Sequence, residues 1–164
     1  MASARSVVIL GMGNPFLTDD AVGCRLARDL KTRLGPNPRV HVVEECSIGG
    51  LNLLDLVEGH DLLVALDSMK TVGGEPGCWY AFTAERLRET QNLSNVHDAN
   101  FATALELGRR LGHAVPCDED IHVFAVEILD NLTFGETMTA PLEGRYAEYS
   151  AEIFGEIETL LLGC

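Results

Sequence analysis

The sequence predicts an α/β fold of three layers, α/β/α, around a mostly parallel central sheet. Three observations carry that prediction. Short runs of apolar, largely β-branched residues recur along the chain, apolar throughout, as strands buried between two layers must be. Between them lie segments whose apolar residues follow helical spacing. This alternation runs through most of the 164 residues without an internal repeat, so one domain over residues 1–164 is expected.

In chain order, residues 6–11 (SVVILG) are the first buried strand, closed by Gly11. Thr18 then reads as the N-cap of a helix with Val22, Leu26, Leu30 and Leu34 on one face, stopped by Gly35-Pro36. Residues 40–44 (VHVVE) are a second strand and residues 51–57 a short helix. Residues 61–67 (DLLVALD) form a further apolar strand that ends on a carboxylate. Residues 79–82 (WYAF) add a strand for which antiparallel pairing stays open. Residues 100–111 place Phe101, Leu105, Gly108 and Leu111 on one helical face and stop at Gly112. Residues 121–128 (IHVFAVEI) return to a strand. The last helix, residues 146–161, puts Tyr146, Tyr149, Ile153, Ile157 and Leu160 on one stripe and Glu148, Glu152, Glu156 and Thr159 on the other.

Composition narrows the function classes. A hydrophobic fraction of 46% excludes a disordered chain. The formal net charge is −13, from 25 acids and 12 bases. That argues against a broad nucleic-acid surface and against electrostatic docking on anionic lipid, both of which need clustered Lys and Arg. The charge is uneven: residues 1–110 carry 14 acids and 11 bases, residues 111–164 carry 11 acids and one base, Arg145. A solvated helical face accounts for much of that acid. The first apolar run is too short for a signal-peptide core and none approaches 18 residues, so no membrane insertion is expected. Five widely spaced cysteines without a CxxC pair fit reduced thiols in a cytoplasmic protein. Cys24 reads as a small core residue, and Cys46, in a loop, as the more redox-exposed one.

In sheets of this kind ligands bind outside the carboxyl ends of the strands. Three loops there carry chemistry. The first is GMGNPFLTDD, residues 11–20. It resembles a dinucleotide turn, but Phe16 stands where the third glycine belongs, and Asp19 and Asp20 would face the pyrophosphate. Their plain role is first-turn acids on the helix dipole, worth about 0.3–1 kcal/mol each. The second is Asp67-Ser68, where a carboxylate either caps a turn or lines the crevice. The third is Asn95-Val96-His97-Asp98, just before a helix, where His97 is a capping or a site residue. His41, His60, His113 and His122 lack such a context. Together Asp20, Asp67 and His97 form an oxygen and nitrogen set able to hold a divalent transition metal or to activate a water.

GMGNPFLTDDAVG (residues 11–23), LLVALDS (residues 62–68) and a later His before a helix resemble the [NiFe]-hydrogenase maturation endopeptidases. The resemblance runs over essentially the whole chain in order and length. It implies a hydrolase, often classed as an aspartic-type peptidase. Such an enzyme removes a C-terminal extension from a hydrogenase large-subunit precursor after nickel has been inserted. It also implies Asp20, Asp67 and His97 as metal-binding and catalytic residues, with nickel supplied by that precursor. Asp20 stands where the family often has Glu. Glu45-Cys46-Ser47-Ile48-Gly49-Gly50 replaces a glycine-rich segment common after the second strand. No DTG or DSG pair is present, so a pepsin-like dyad does not follow from the class label. Two other readings stand beside this one: a nucleotide- or dinucleotide-binding domain using Gly11 and Gly13 with Glu44 or Glu45 on a ribose, and a nickel-binding assembly factor without catalysis.

Overall fold

The computed structural model describes residues 5–46, 51–85 and 96–163, with side chains in the last segment from residue 101. Five strands make one sheet in the order β2-β1-β3-β5-β4. They are β1 (Val7–Met12), β2 (Val40–Cys46), β3 (Leu62–Met69), β4 (Trp79–Thr83) and β5 (Ile121–Glu127). The pairs β1–β2, β1–β3 and β3–β5 are parallel. The β4–β5 pair is antiparallel, which settles the strand left open, with Trp79 opposite Val126.

The helices divide between the two faces as the apolar alternation requires. Val7 and Ile9 point into one core with Leu26 and Leu30 of α1 (Val22–Leu34) and Tyr149, Ile153 and Ile157 of α4 (Ala140–Leu162). Val8 and Leu10 point into the other, with Leu53 and Val57 of α2 (Asn52–Val57) and Phe101 and Leu105 of α3 (Val96–Arg110). A strand apolar on both faces is therefore the direct record of a sheet covered on both sides. The outer acids of α4, Glu148, Glu152 and Glu156, are exposed as the spacing predicts.

Two helix starts differ from the periodicity. Thr18 is not an N-cap: α1 begins at Val22 after Ala21, with no side-chain cap, so Asp19 and Asp20 precede the helix rather than occupy its first turn. The reason is tertiary. Thr18 N–H donates to the Thr133 carbonyl at 3.0 Å and its hydroxyl to the Asp130 carbonyl at 3.2 Å, which holds residue 18 in a loop pairing. The described part of helix α3 begins at Val96, four residues ahead of the expected start at residue 100, and takes in His97. Strand β3 also runs on through Ser68 and Met69, which places Asp67 within the strand. Cys46 closes β2 and is buried, not exposed in a loop. Ser47, Ile48, Gly49 and Gly50 lie outside the described residues.

Candidate functional site

Strand order 2-1-3 means that the chain leaves β1 toward one side, through α1 to β2, and then crosses to the other side to form β3. The carboxyl ends of β1 and β3 are thus a topological switch point, where the covering helices diverge and leave a crevice. Asp20 follows β1 and Asp67 lies near the end of β3. Both are buried, Asp20 at 8% and Asp67 at 6% exposure.

Local geometry fixes Asp20. Gly13 has φ +118, a conformation that favours glycine, and a Cβ there would strike the Asp20 carbonyl. The turn then folds back, with Phe16 N–H on Asn14 Oδ1 at 3.0 Å and Leu17 N–H on the Asn14 carbonyl at 3.1 Å. Asn14 N–H donates to Asp20 Oδ2 at 2.8 Å. Gly23 completes the arrangement: a Cβ there would meet the Leu66 and Met12 carbonyls, so only glycine lets α1 lie this close to β1 and β3.

Ser68 joins the two carboxylates. Its hydroxyl donates to Asp20 Oδ1 at 2.6 Å, and its N–H donates to Asp67 Oδ1 at 2.7 Å. Sequence reasoning gave Ser68 no part. The available signal was a hydroxyl residue directly after a strand-end acid. The adjacent Asp19 is fully buried and serves otherwise. It accepts from Leu129 N–H at 3.1 Å, Asp130 N–H at 3.0 Å, Thr139 N–H at 2.7 Å and the Thr139 hydroxyl at 2.9 Å. Its expected role on the helix dipole gives way to that of a staple for residues 129–139.

Of the three candidate ligands, Asp20 and Asp67 each accept a hydrogen bond from Ser68. His97 lies in α3, and its side chain lies outside the described residues. The α3 helix packs on the sheet face toward which Leu63 and Ala65 point, and Asp67 shares that face by strand alternation. Two carboxylates are hard oxygen donors suited to a divalent cation, and an imidazole would add a borderline nitrogen.

Cys24 lines a groove of about 440 Å³ beside this turn, with Pro15, Thr18, Arg25, Arg28 and Met138. Its surroundings disfavour the thiolate that a nucleophile needs. Burial first, then the negative charges of Glu45 and Asp20, push its thiol up to about 12. Its Sγ faces the Gly11 carbonyl at 3.6 Å.

A family model described as hydrogenase maturation protease matches residues 24–144, close to three quarters of the chain. The chain belongs to the hydrogenase maturation protease family. The match takes in Asp67 and His97 and begins just after the turn that carries Asp20. Solved structures extend the likeness to the whole fold. The hydrogenase maturating endopeptidase HybD from E. coli superposes with a TM-score of 0.76 at 21% identity, over 94% of this chain and 93% of that one. The [NiFe] hydrogenase maturation protease HybD from Thermococcus kodakarensis gives 0.70 at 20% identity, over 93% and 98%. An E. coli endopeptidase solved in solution gives 0.73 at 22% identity, over 90% and 89%. No curated protein sequence matches the chain significantly.

The other two readings find no support. The Asn14 amide that a phosphate would need is already bonded to Asp20. Glu44 accepts from Lys31 at 2.6 Å and Glu45 from Arg28 at 3.0 Å, so neither stands ready for a ribose. A maturation protease is an enzyme, unlike a non-catalytic assembly factor. No helix among the described residues is long and apolar enough to cross a membrane.

Proposed function

We propose that this maturation protease removes the C-terminal extension from the nickel-loaded precursor of a [NiFe]-hydrogenase large subunit, and that Asp20, Asp67 and His97 receive the nickel. The observation that carries the reading is the pair of buried carboxylates joined by Ser68 at the switch point. Their oxygens are hard donors of the kind a divalent cation arriving with the substrate takes. Nickel is then cargo that the enzyme reads, and its capture lays the bond to be cut along the sheet edge.

The reaction is hydrolysis. Water adds to the scissile carbonyl carbon, the C–N bond breaks, and the leaving amine takes a proton. A carboxylate at the crevice is the group present to take a proton from the water, an aspartic-type role. A cation beside the carbonyl lowers the cost of negative charge on its oxygen.

The test is a processing assay with nickel-loaded and nickel-free precursor. Nickel-loaded precursor is cut, and nickel-free precursor is not. Asp20→Asn, Asp67→Asn and His97→Ala each lower the rate by at least about a hundredfold, the lower end of what a catalytic acid or base contributes. Unchanged processing in all three variants would remove the site assignment. A cytoplasmic location follows the same reading, since precursor and enzyme must meet before the hydrogenase is complete.

A further inference from the structure

Ser68 follows Asp67 on β3, so the two side chains point to opposite faces of the sheet. Asp67 faces the α3 side, and Ser68 faces the α1 side, where it is 2% exposed. From there its hydroxyl reaches Asp20 Oδ1 at 2.6 Å, while its backbone N–H holds Asp67 Oδ1 at 2.7 Å. One residue therefore binds one oxygen of each carboxylate at the carboxyl ends of the paired strands β1 and β3. The hydroxyl carries a single proton, and giving it to Asp20 fixes which oxygen is engaged. The other oxygen, Oδ2, is engaged by Asn14 N–H at 2.8 Å. The Asp20 carboxylate is thus held at both ends in one rotation. A carboxylate has about four acceptor positions, so these two bonds leave lone pairs for a cation.

We propose that Ser68 is a positioning residue for nickel capture. It sets the spacing and rotation of the two carboxylates before the metal-loaded precursor arrives, without touching the metal. This rests on the reading that Asp20 and Asp67 receive nickel. Loss of the hydroxyl leaves the Asp20 carboxylate held only at Oδ2 and removes the only side-chain donor to its Oδ1 among the described residues. Partners of this kind, one bond removed from a metal, are worth roughly 10–100-fold in affinity.

The experiment titrates the full chain with Ni²⁺ alone by calorimetry and with Co²⁺ by its visible d–d spectrum, using wild type, Ser68→Ala, Ser68→Thr and Asp20→Asn. Thermal unfolding reports on folding in parallel. Asp20→Asn should lose most Ni²⁺ binding. Ser68→Ala should weaken it roughly tenfold or more and alter the Co²⁺ bands, whereas Ser68→Thr, which keeps the hydroxyl, restores both. A purely structural role would change unfolding and leave the Co²⁺ bands alone. Wild-type affinity and spectrum in Ser68→Ala, with binding lost in Asp20→Asn, would overturn the role of Ser68 and leave the carboxylate reading standing. Unchanged binding in Asp20→Asn, or no uptake of either ion by wild type at millimolar concentration, would overturn both. If Ser68→Ala does not fold, Ser68→Cys keeps the volume with a weaker donor. Intermediate affinity is then expected, and wild-type affinity would count against the proposal.

Discussion

Four carboxylates are buried among the described residues, Asp19, Asp20, Asp67 and Glu127, and their partners divide them into two kinds. Asp19 and Glu127 hold loops. Asp19 takes four donors from residues 129–139, and Glu127 takes the Thr71 N–H at 2.5 Å and the Thr71 hydroxyl at 3.0 Å. Asp20 and Asp67 instead share Ser68 across the crevice. The division predicts different phenotypes for neighbouring residues. Asp19→Asn turns an amide toward several donors and should cost about 2–4 kcal/mol of stability, read from the urea midpoint. Asp20→Asn meets only two donors, one of them a hydroxyl that can turn to accept, and should cost less, about 1 kcal/mol, while processing is lost. A drop in stability for Asp20→Asn equal to that for Asp19→Asn would mean that both are structural. From the residues alone Asp19 and Asp20 read alike, as first-turn acids, and only the resemblance to the maturation endopeptidases singled out Asp20. The work of Asp19 was not legible, because its partners lie more than a hundred residues away.

At the scale of elements, the strands could be read because both faces of β1 and β3 are buried, and their first stretches, residues 7–10 and 62–66, have no polar residue to blur them. Helix starts were harder. Thr18 has the chemistry of a cap, but residues 130–133 take its hydrogen bonds and α1 begins later. Gly23 shows how tightly α1 and the site are linked, since a side chain there collides with backbone carbonyls that cannot yield. Gly23→Ala should therefore cost about 3 kcal/mol and lower processing with it, as α1 and the Asp20 turn move off the sheet together; calorimetric unfolding and the processing rate check this. The opposite ends of the strands carry a pH dependence. Burial holds His60 and His122 below the usual histidine range, with His41 adding to the effect on His60 and Arg5 to that on His122. Asp61 acts the other way on His60, and Asp120 on His122. Groups depressed in the fold bind protons more readily when unfolded, so their stabilisation is complete above about 6.5 and is lost as the pH falls toward their folded values. The melting temperature should fall between pH 7.5 and pH 5.5. His122→Gln should flatten that fall; an unaltered slope would show that other groups set it.

For the molecule as a whole, the acidic last third is more than a solvated face. Glu143 pairs with Arg25 at 2.6 Å and Glu158 with Arg33 at 2.5 Å, so acids of α4 meet bases of α1, while Glu152 accepts from Trp79 Nε1 at 2.7 Å and Glu148 pairs with Arg145 at 3.4 Å. Exposed pairs of this kind contribute little to stability. Against that acidic surface the rim of the crevice is apolar. Phe16 is 72% exposed, Leu132 80% and Phe134 78%. The rim is not loose: Leu17 bridges Phe134 in antiparallel fashion, and Gly135 N–H bonds the Phe16 carbonyl at 3.1 Å. The same loops carry Asp20 and the donors to Asp19. Exposed aromatic side chains held by ordered backbone next to a protease crevice are surface for a protein substrate. Phe16→Ser combined with Phe134→Ser should raise KM for the nickel-loaded precursor about tenfold or more, as loss of two anchor residues does. The kcat, the Ni²⁺ affinity and the melting temperature should hold, because neither side chain is buried or touches a carboxylate. A fall in kcat at unchanged KM would place the two rings in the chemistry instead of in docking.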